Sequence, residues 1–172
     1  MQKIPTLSSR TGSAIDEKIA SALPLLPSAA MLWYQQNMGG HAQRVSQLAR
    51  ALAIQLELPA QEIRLVEQAA LLHDIGKAAI PAAILTKPGP LNEQEWEVMR
   101  RHAEIGYQML MRAGGIWAPI APLVLQHHER WDGLGYPNGC AGEEILLGAR
   151  ILAVVDSYDA MTESRAYRQP LT

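Results

Sequence analysis

Two short stretches of the chain set potential metal-binding side chains directly beside each other. In "LLHDIGK" His73 precedes Asp74 at the end of an apolar run, and in "QHHERWDGLGYP" His127 and His128 are adjacent. Burying an ionisable pair costs free energy unless the pair is hydrogen-bonded, ion-paired or coordinated to a metal. Adjacent residues on a helix point about 100° apart, so these neighbours suit two ions better than one.

The remaining histidines and one further acid extend this pattern. His41 and His102 lie on predicted helices, and "VVDSYDAM" embeds Asp156 in apolar residues with Asp159 one turn further on. A single histidine on an apolar helix face is usually a hydrogen-bonded core residue. All five histidines occur on or at the ends of predicted helices, together with buried acids, and as a group they indicate a metal site.

Counting coordination positions favours an open site with two metals. Five histidines with Asp74 and Asp156 provide seven ligands, and the two oxygens of Asp74 allow it to bridge the metals. With a bridging hydroxide, this set leaves roughly two of about twelve positions for water or substrate. Two divalent ions, two carboxylates and one hydroxide sum to about +1, which attracts a phosphate.

The ligand types narrow the choice of metal. Cys140 is the only cysteine, so the chain has neither an intramolecular disulfide nor a thiolate cluster. Imidazole and carboxylate ligands favour two iron or manganese ions, with nickel, cobalt and zinc as alternatives.

Composition predicts one soluble domain. The chain has 172 residues, of which 48% are hydrophobic and 19% charged, with a net charge of −2. No run of Lys or Arg occurs, which argues against a nucleic-acid polymer or an anionic membrane as partner. The apolar stretches are too short to span a membrane, and the single cysteine suits a cytoplasmic protein.

The elements that position these residues are all predicted to be helices. Residues 1–28 are expected to form a leader with one short helix, and residues 29–172 the domain. An apolar stripe through Val45, Leu48 and Leu52 predicts the first long helix. Further helices are expected from Pro59 to Gly76, from the Asn92 cap onward, over "IWAPIAPLVLQHHER", and over "EILLGARILAVVDSYDAMTES" at the end. The Gly-rich "WDGLGYPNGCAGE" must be a loop, and the fold class is all-α.

Several segments, in order and at matching spacing, resemble the HD-GYP domain, a branch of the HD superfamily of metal-dependent phosphohydrolases. They are "HDIGK", "ILTKPGPLNEQEWEVMRRHAEIGYQML", "HHERWDGLGYPNG" and "ARILAVVDSYDAMTESRAYR". The resemblance implies a helical bundle with a Gly-rich GYP loop formed by Gly135, Tyr136 and Pro137. It also implies that the domain ends before the family's usual C-terminal helix.

The resemblance implies a metal-dependent phosphodiesterase that opens cyclic di-GMP to linear pGpG, a reaction that family members often continue to GMP. The nucleophile would be a metal-bridging hydroxide, and the implied metal ligands are His41, His73, Asp74, His102, His127, His128 and Asp156. Family members with three metals carry a glutamate four residues before the first histidine. This chain has Asn37 there, and a neutral amide binds a hard cation weakly, so two metals are expected.

The resemblance also suggests the groups that bind substrate. Lys77, one turn beyond His73, is expected to act with Asp74 in catalysis by offsetting charge on the phosphate oxygens. Arg165 and Arg168 are candidates for the second phosphate. Tyr136 offers a face for guanine stacking, as does Trp131, and Asp159 is expected to orient a ligand.

Two other functions remain open on the sequence. The domain could be a weakly catalytic cyclic di-GMP receptor or adaptor, with its GYP loop docking on a diguanylate cyclase (GGDEF) protein. It could also be an HD phosphohydrolase that acts on another nucleotide, although the second histidine pair and the GYP loop argue against a plain HD site.

Overall fold

The structure is a computed structural model that describes residues 28–162, and within that range it contains helices and loops but no strand. The all-α prediction is therefore confirmed. The leader predicted for residues 1–28 lies outside the described residues except at its last position. The helices are α1 (Ser28–Gln55), α2 (Ala60–Leu72), α3 (Ala82–Leu85), α4 (Glu93–Arg100), α5 (His102–Ala113), α6 (Ala121–Gln126) and α7 (Leu147–Thr162).

The core forms where α1, α2 and α7 pack against one another. Alanines such as Ala49, Ala53 and Ala69 are fully buried at these contacts and let the helices approach closely. Trp117 is among the largest fully buried side chains and helps to fill the space in a chain that has no Phe. Burying each such large apolar side chain stabilises the fold by about 1.5–3 kcal/mol. The core thus fixes α1 and α7, which carry His41 and Asp156, and α2, which His73 and Asp74 follow directly.

The predicted helix from Pro59 ends earlier than expected. It stops at Leu72, and a 3₁₀ turn over Ile75–Ala79 replaces the last predicted turn up to Gly76. A Cβ on Gly76 would lie 2.0 Å from the carbonyl oxygen of His102 and 2.6 Å from the amide nitrogen of Gly106. Gly76 therefore allows this turn to touch the backbone of α5, which brings Asp74 beside His102.

The helix predicted to start at the Asn92 cap is two helices in the structure. The capping box is present, since the Asn92 side chain accepts from the Glu95 amide and the Glu95 carboxylate accepts from the Asn92 amide, both at 2.8 Å. The helix then breaks at Arg101, whose amide bonds back three residues to the Val98 carbonyl. The break makes His102 the first residue of α5.

The Gly-rich segment forms the predicted loop between α6 and α7, and this loop folds back on the histidine pair. The Tyr136 amide donates to the His128 carbonyl at 3.2 Å, and the Asn138 amide donates to the buried Glu129 carboxylate at 2.7 Å. A Cβ on Gly135 would lie 2.3 Å from the Arg130 amide nitrogen. The loop therefore holds Tyr136 against the end of α6.

Among residues 28–162, no helix combines the length and apolar character that a membrane crossing requires.

Candidate metal centre

Seven side chains from five places in the chain converge at one end of the helical bundle. His41 comes from α1, His102 opens α5, and Asp156 comes from α7, while two adjacent pairs follow directly on α2 and α6. The rings of His73 and His127 lie 5.2 Å apart between centroids, and those of His102 and His127 lie 5.3 Å apart. The structure thus brings together every residue predicted as a metal ligand: His41, His73, Asp74, His102, His127, His128 and Asp156.

The donor atoms fall into two groups that share Asp74. In each group, one ligand atom per residue lies within 4.8 Å of the others. The Asp156 carboxylate adjoins the first group, with Oδ1 at 3.2 Å from His41 Nε2 and 3.9 Å from His73 Nε2. The first group is His41, His73 and Asp74, and the second is Asp74, His102, His127 and His128.

Backbone carbonyls set the tautomer of three of the histidines. The Nδ1–H groups of His73, His102 and His127 donate to the carbonyl three residues earlier, at 2.7, 2.8 and 2.6 Å. This assignment follows from the hydrogen-bond partners, because a carbonyl only accepts. In the neutral form of each ring, Nε2 is then left with a lone pair that faces into the centre, which is the form of imidazole that binds a metal.

Two of these donor atoms lack a hydrogen-bond partner although they are buried. His73 Nε2 and Asp74 Oδ1 have none. His102 Nε2 lies 3.4 Å from His127 Nε2, and neither atom carries a proton in the tautomer just described. Buried polar atoms are usually satisfied, and facing lone pairs repel one another. A cation between these groups would satisfy all of them, so the residues present fit divalent metal ions.

Charge states in the metal-free protein also suit metal binding. Burial lowers the pKa of His127 well below its usual value and that of His128 to about 4, so both rings are neutral at pH 7. For Asp74, burial would raise the pKa, but Lys77 and His73 outweigh it and hold the pKa well down. Burial alone would lower the pKa of His73, but the Asp74 carboxylate outweighs burial, so the pKa of His73 is raised. A metal ion would take the place of the proton on His73.

Asp159 lies directly behind His41, and Arg44 lies behind Asp159. The Asp159 Oδ2 atom accepts from His41 Nδ1 at 2.7 Å, and Arg44 donates to both carboxylate oxygens at 2.8 and 3.1 Å. Burial acts to raise the pKa of Asp159, but the hydrogen bonds from Arg44 and His41 lower it overall. This contact leaves His41 Nε2 directed at Asp156. Sequence reasoning missed Arg44, since an arginine on a helix resembles a solvated residue.

A cavity of about 530 Å³ opens over the cluster, within the range of small-molecule sites. Lys77 lines it and donates to Asp74 Oδ2 at 2.6 Å. Tyr136 also lines it, with its ring 4.8 Å from the His128 ring and the Arg100 guanidinium 5.7 Å above it. The wall formed by α3, α4 and the segment between them adds Leu85, Leu91, Trp96 and Met99, none of which the sequence analysis selected.

Other predicted site residues lie elsewhere or outside the described range. Asn37 is exposed on α1, one turn before His41. Trp131 lines a separate depression together with residues of α7, under the guanidinium of Arg150 at 5.6 Å. Arg165 and Arg168 lie outside residues 28–162, and their roles remain predictions.

The fold and the site define an all-helical domain that gathers histidines and aspartates at one end of its core. The chain belongs to the HD domain family, whose model matches residues 28–172. The expected resemblance is thereby confirmed.

Proteins with sequences similar to this chain are named as phosphodiesterases of cyclic dinucleotides. The chain is 47% identical over 131 residues to the cyclic di-GMP phosphodiesterase response regulator RpfG of Xanthomonas campestris, covering 76% of this chain and 35% of that protein. It is 42% identical over 135 residues to 3'3'-cGAMP-specific phosphodiesterase 2 of Vibrio cholerae, covering 78% of this chain and 26% of that protein. The chain thus spans about a quarter to a third of the length of these relatives.

A solved structure has the same fold. It is the HD domain of the Listeria monocytogenes phosphodiesterase PgpH in complex with cyclic di-AMP, with a TM-score of 0.57 and 18% identity. The match covers 88% of this chain and 76% of that one. At this identity the likeness supports the helical architecture alone.

Proposed function

We propose that this domain is a metal-dependent phosphodiesterase that hydrolyses cyclic di-GMP to linear pGpG, with GMP as the product of any further hydrolysis. The observation that carries the proposal is the shared position of Asp74 between two groups of donors, in which the buried His73 Nε2 and Asp74 Oδ1 lack hydrogen-bond partners. Relatives that are 38–47% identical and named cyclic di-GMP phosphodiesterases support the substrate.

Two divalent ions would be held by residues that the fold already brings together. His41, His73, Asp74 and Asp156 would hold one ion, and Asp74, His102, His127 and His128 the other. When bound, such ions lower the pKa of a water molecule toward neutrality and neutralise charge on a phosphate. Iron or manganese is the preferred pair on ligand type, with nickel, cobalt and zinc as alternatives. The amide of Asn37 in place of a carboxylate favours two ions over three.

The remaining residues of the cavity would position the phosphate and the ligands. Lys77 presents its ammonium group beside Asp74, where it would bind a non-bridging phosphate oxygen and offset the charge that develops there. Asp159 holds the Nδ1–H of His41 and so keeps the opposite nitrogen directed at the metal position. Tyr136 closes the side of the cavity next to His128, and Arg165 and Arg168 are proposed for the second phosphate.

The proposal is tested by measuring metal content and reaction products on the same preparations. Purified protein reconstituted with Fe²⁺ or Mn²⁺ should contain two equivalents by elemental analysis and convert cyclic di-GMP to pGpG on chromatography. The double variant with His73→Ala and Asp74→Ala should lose both properties. Asp132→Ala is the matched control, because that carboxylate is exposed and pairs with Arg130. Turnover in the double variant would contradict the proposal.

A second substrate has support from the comparisons. One relative is named a 3'3'-cGAMP-specific phosphodiesterase, so the same assay should include 3'3'-cGAMP beside cyclic di-GMP. Faster turnover of 3'3'-cGAMP than of cyclic di-GMP would identify 3'3'-cGAMP as the preferred substrate. Binding of either compound without product would identify a receptor instead.

The GYP loop is proposed to dock on a diguanylate cyclase (GGDEF) protein. Leu134 and Trp131 support this, since 77% and 62% of their surfaces are exposed on the loop. Binding of a purified GGDEF domain that weakens in Leu134→Asp would support the interaction, and unchanged binding would exclude this loop. The cytoplasm is the proposed location, because the lone Cys140 suits a reducing compartment.

A further inference from the structure

The cavity over the metal centre has two chemically different sides. Its floor carries the His and Asp donors and Lys77, whereas the wall built from α3, α4 and the segment between them is apolar. The members of this wall are Leu85, Leu91, Trp96 and Met99. A phosphate needs only the polar floor, so the apolar wall suits another part of a ligand.

Trp96 is the largest side chain of this wall and is 45% exposed. Its neighbours Leu85, Leu91 and Met99 are half-buried, so the indole lies over a partly covered apolar surface that is open toward the cavity. An exposed tryptophan in a concave site beside charged groups is a typical platform for a planar ring. A nucleobase has such a ring, and its stacking does not depend on a particular hydrogen-bond pattern.

The position of α4 ties this wall rigidly to the metal centre. The carbonyl of Met99, three residues after Trp96, accepts the Nδ1–H of His102 at 2.8 Å. At the other end of α4, the capping box and the ion pair between Lys87 and Glu95 at 2.5 Å fix the first turn. Trp96 therefore lies on a helix that is anchored at both ends, one of them on a histidine of the cluster.

The other aromatic ring of the cavity is already engaged within the protein. The Tyr136 ring lies 4.8 Å from the His128 ring at an interplanar angle of 33°, and the Arg100 guanidinium lies over it at 5.7 Å. These two contacts occupy much of the surface that a base would need. Of the two rings, Trp96 is thus the better platform.

We infer that Trp96 and the apolar wall around it form the subsite for one purine base of the cyclic dinucleotide, while the metal centre and Lys77 receive the phosphate. The inference rests on the proposed function and adds a residue that governs substrate affinity. It predicts that removing the indole weakens binding of compounds that carry a base and leaves binding of phosphate alone unchanged.

The test compares Trp96→Ala, Trp96→Phe and Ile116→Ala with the wild type, all loaded with Mn²⁺. Ile116→Ala is the matched control, because Ile116 is an apolar side chain with the same exposure of 45% and does not line this cavity. The measurements are KM and kcat for cyclic di-GMP, the Kd of its hydrolysis-resistant phosphorothioate analogue, and the inhibition constant of inorganic phosphate. Thermal unfolding checks that each variant is folded.

Trp96→Ala should raise KM and Kd about 5- to 150-fold, the range expected for loss of one stacked base. The inhibition constant of phosphate should stay within about twofold, Trp96→Phe should retain most of the affinity, and Ile116→Ala should behave as the wild type. Equal affinities in Trp96→Ala and Ile116→Ala would overturn the base subsite but not the proposed function. Parallel loss of phosphate binding would show that Trp96 only supports the metal centre. If the wild type neither binds nor hydrolyses cyclic dinucleotides, both proposals fail.

Discussion

His102 Nε2 lies 3.4 Å from His127 Nε2, and each of these rings donates its Nδ1–H to a backbone carbonyl three residues earlier. Both facing atoms therefore carry lone pairs, in a region where His102 and His127 are each only 1% exposed. Such a contact is unfavourable without a positive charge between the two nitrogens. The short turns that end α4 and α6 hold both rings in this orientation and thus prepare the second group for a metal.

Replacing His127 by Ala should remove the metal held by the second group. Loss of one of four donors, together with its fixed lone pair, is expected to lower metal content below two equivalents and turnover at least about 100-fold. Elemental analysis and the chromatographic assay measure these changes. Retention of two tightly bound equivalents would show that His127 is not a ligand.

Removing the metals should lower thermal stability. A ligand present at about 1,000 times its Kd stabilises the native state by about 4 kcal/mol, which corresponds to roughly 8–16 °C in Tm for a domain of this size. Adding a strong chelator to the reconstituted protein should lower Tm by that amount, and renewed Mn²⁺ should restore it. In the variant with His73→Ala and Asp74→Ala, chelation should leave Tm unchanged. An equal response in both proteins would place the stabilising metal elsewhere.

Replacing Arg44 by Ala should weaken the metal site without unfolding the domain. Arg44 donates two hydrogen bonds to Asp159, which in turn fixes His41, and loss of such a supporting contact lowers metal affinity about 10–100-fold. Competition with a chelating dye measures this affinity. Arg50→Ala is the control, since Arg50 lies on the same helix in an ion pair of 3.6 Å with Glu67. Equal affinities in the two variants would mean that Arg44 does not act on the site.

Alanine substitutions at two glycines compare a position where the added methyl group would clash with a position where it would only restrict the backbone. Gly76→Ala places a methyl group against the backbone of α5 and should cost about 3 kcal/mol or more, lowering Tm by roughly 6–12 °C. Gly39→Ala, within α1, meets no atom within 4 Å and should stabilise the helix by about 0.5–1 kcal/mol. Calorimetry distinguishes the two. A neutral Gly76→Ala would show that α5 can move away from this turn.

The sequence could predict the helices and the candidate ligands because both leave local signals. A histidine beside an aspartate in an apolar run, or an acid such as Asp156 among valines, is anomalous without any knowledge of the fold. The capping box at Asn92 is likewise complete within four residues. The early end of α2 was not predictable in this way. Gly76 resembles a helix terminator, but its small size is needed for contact with α5.

Residues that depend on distant partners could not be identified from the sequence. Arg44 and Asp159 are 115 residues apart in the chain, and nothing near Arg44 indicates that it contacts an acid behind a histidine. Trp96 follows the pattern of an ordinary apolar helix residue, and only the packing of α3 against α4 leaves its indole open toward the cavity. The break between α4 and α5 at Arg101 could not be predicted either, because no proline or glycine lies at or next to this position.

The single carboxylate of Asp74 joins both halves of the centre. One of its oxygens lies 3.4 Å from His73 Nε2, and the other lies 3.3 Å from His102 Nε2. With two ions bound as proposed, occupancy of one half would therefore orient the carboxylate for the other. Filling would be a linked equilibrium, in which binding at one half changes the affinity of the other. A titration with metal would then not follow two independent binding curves.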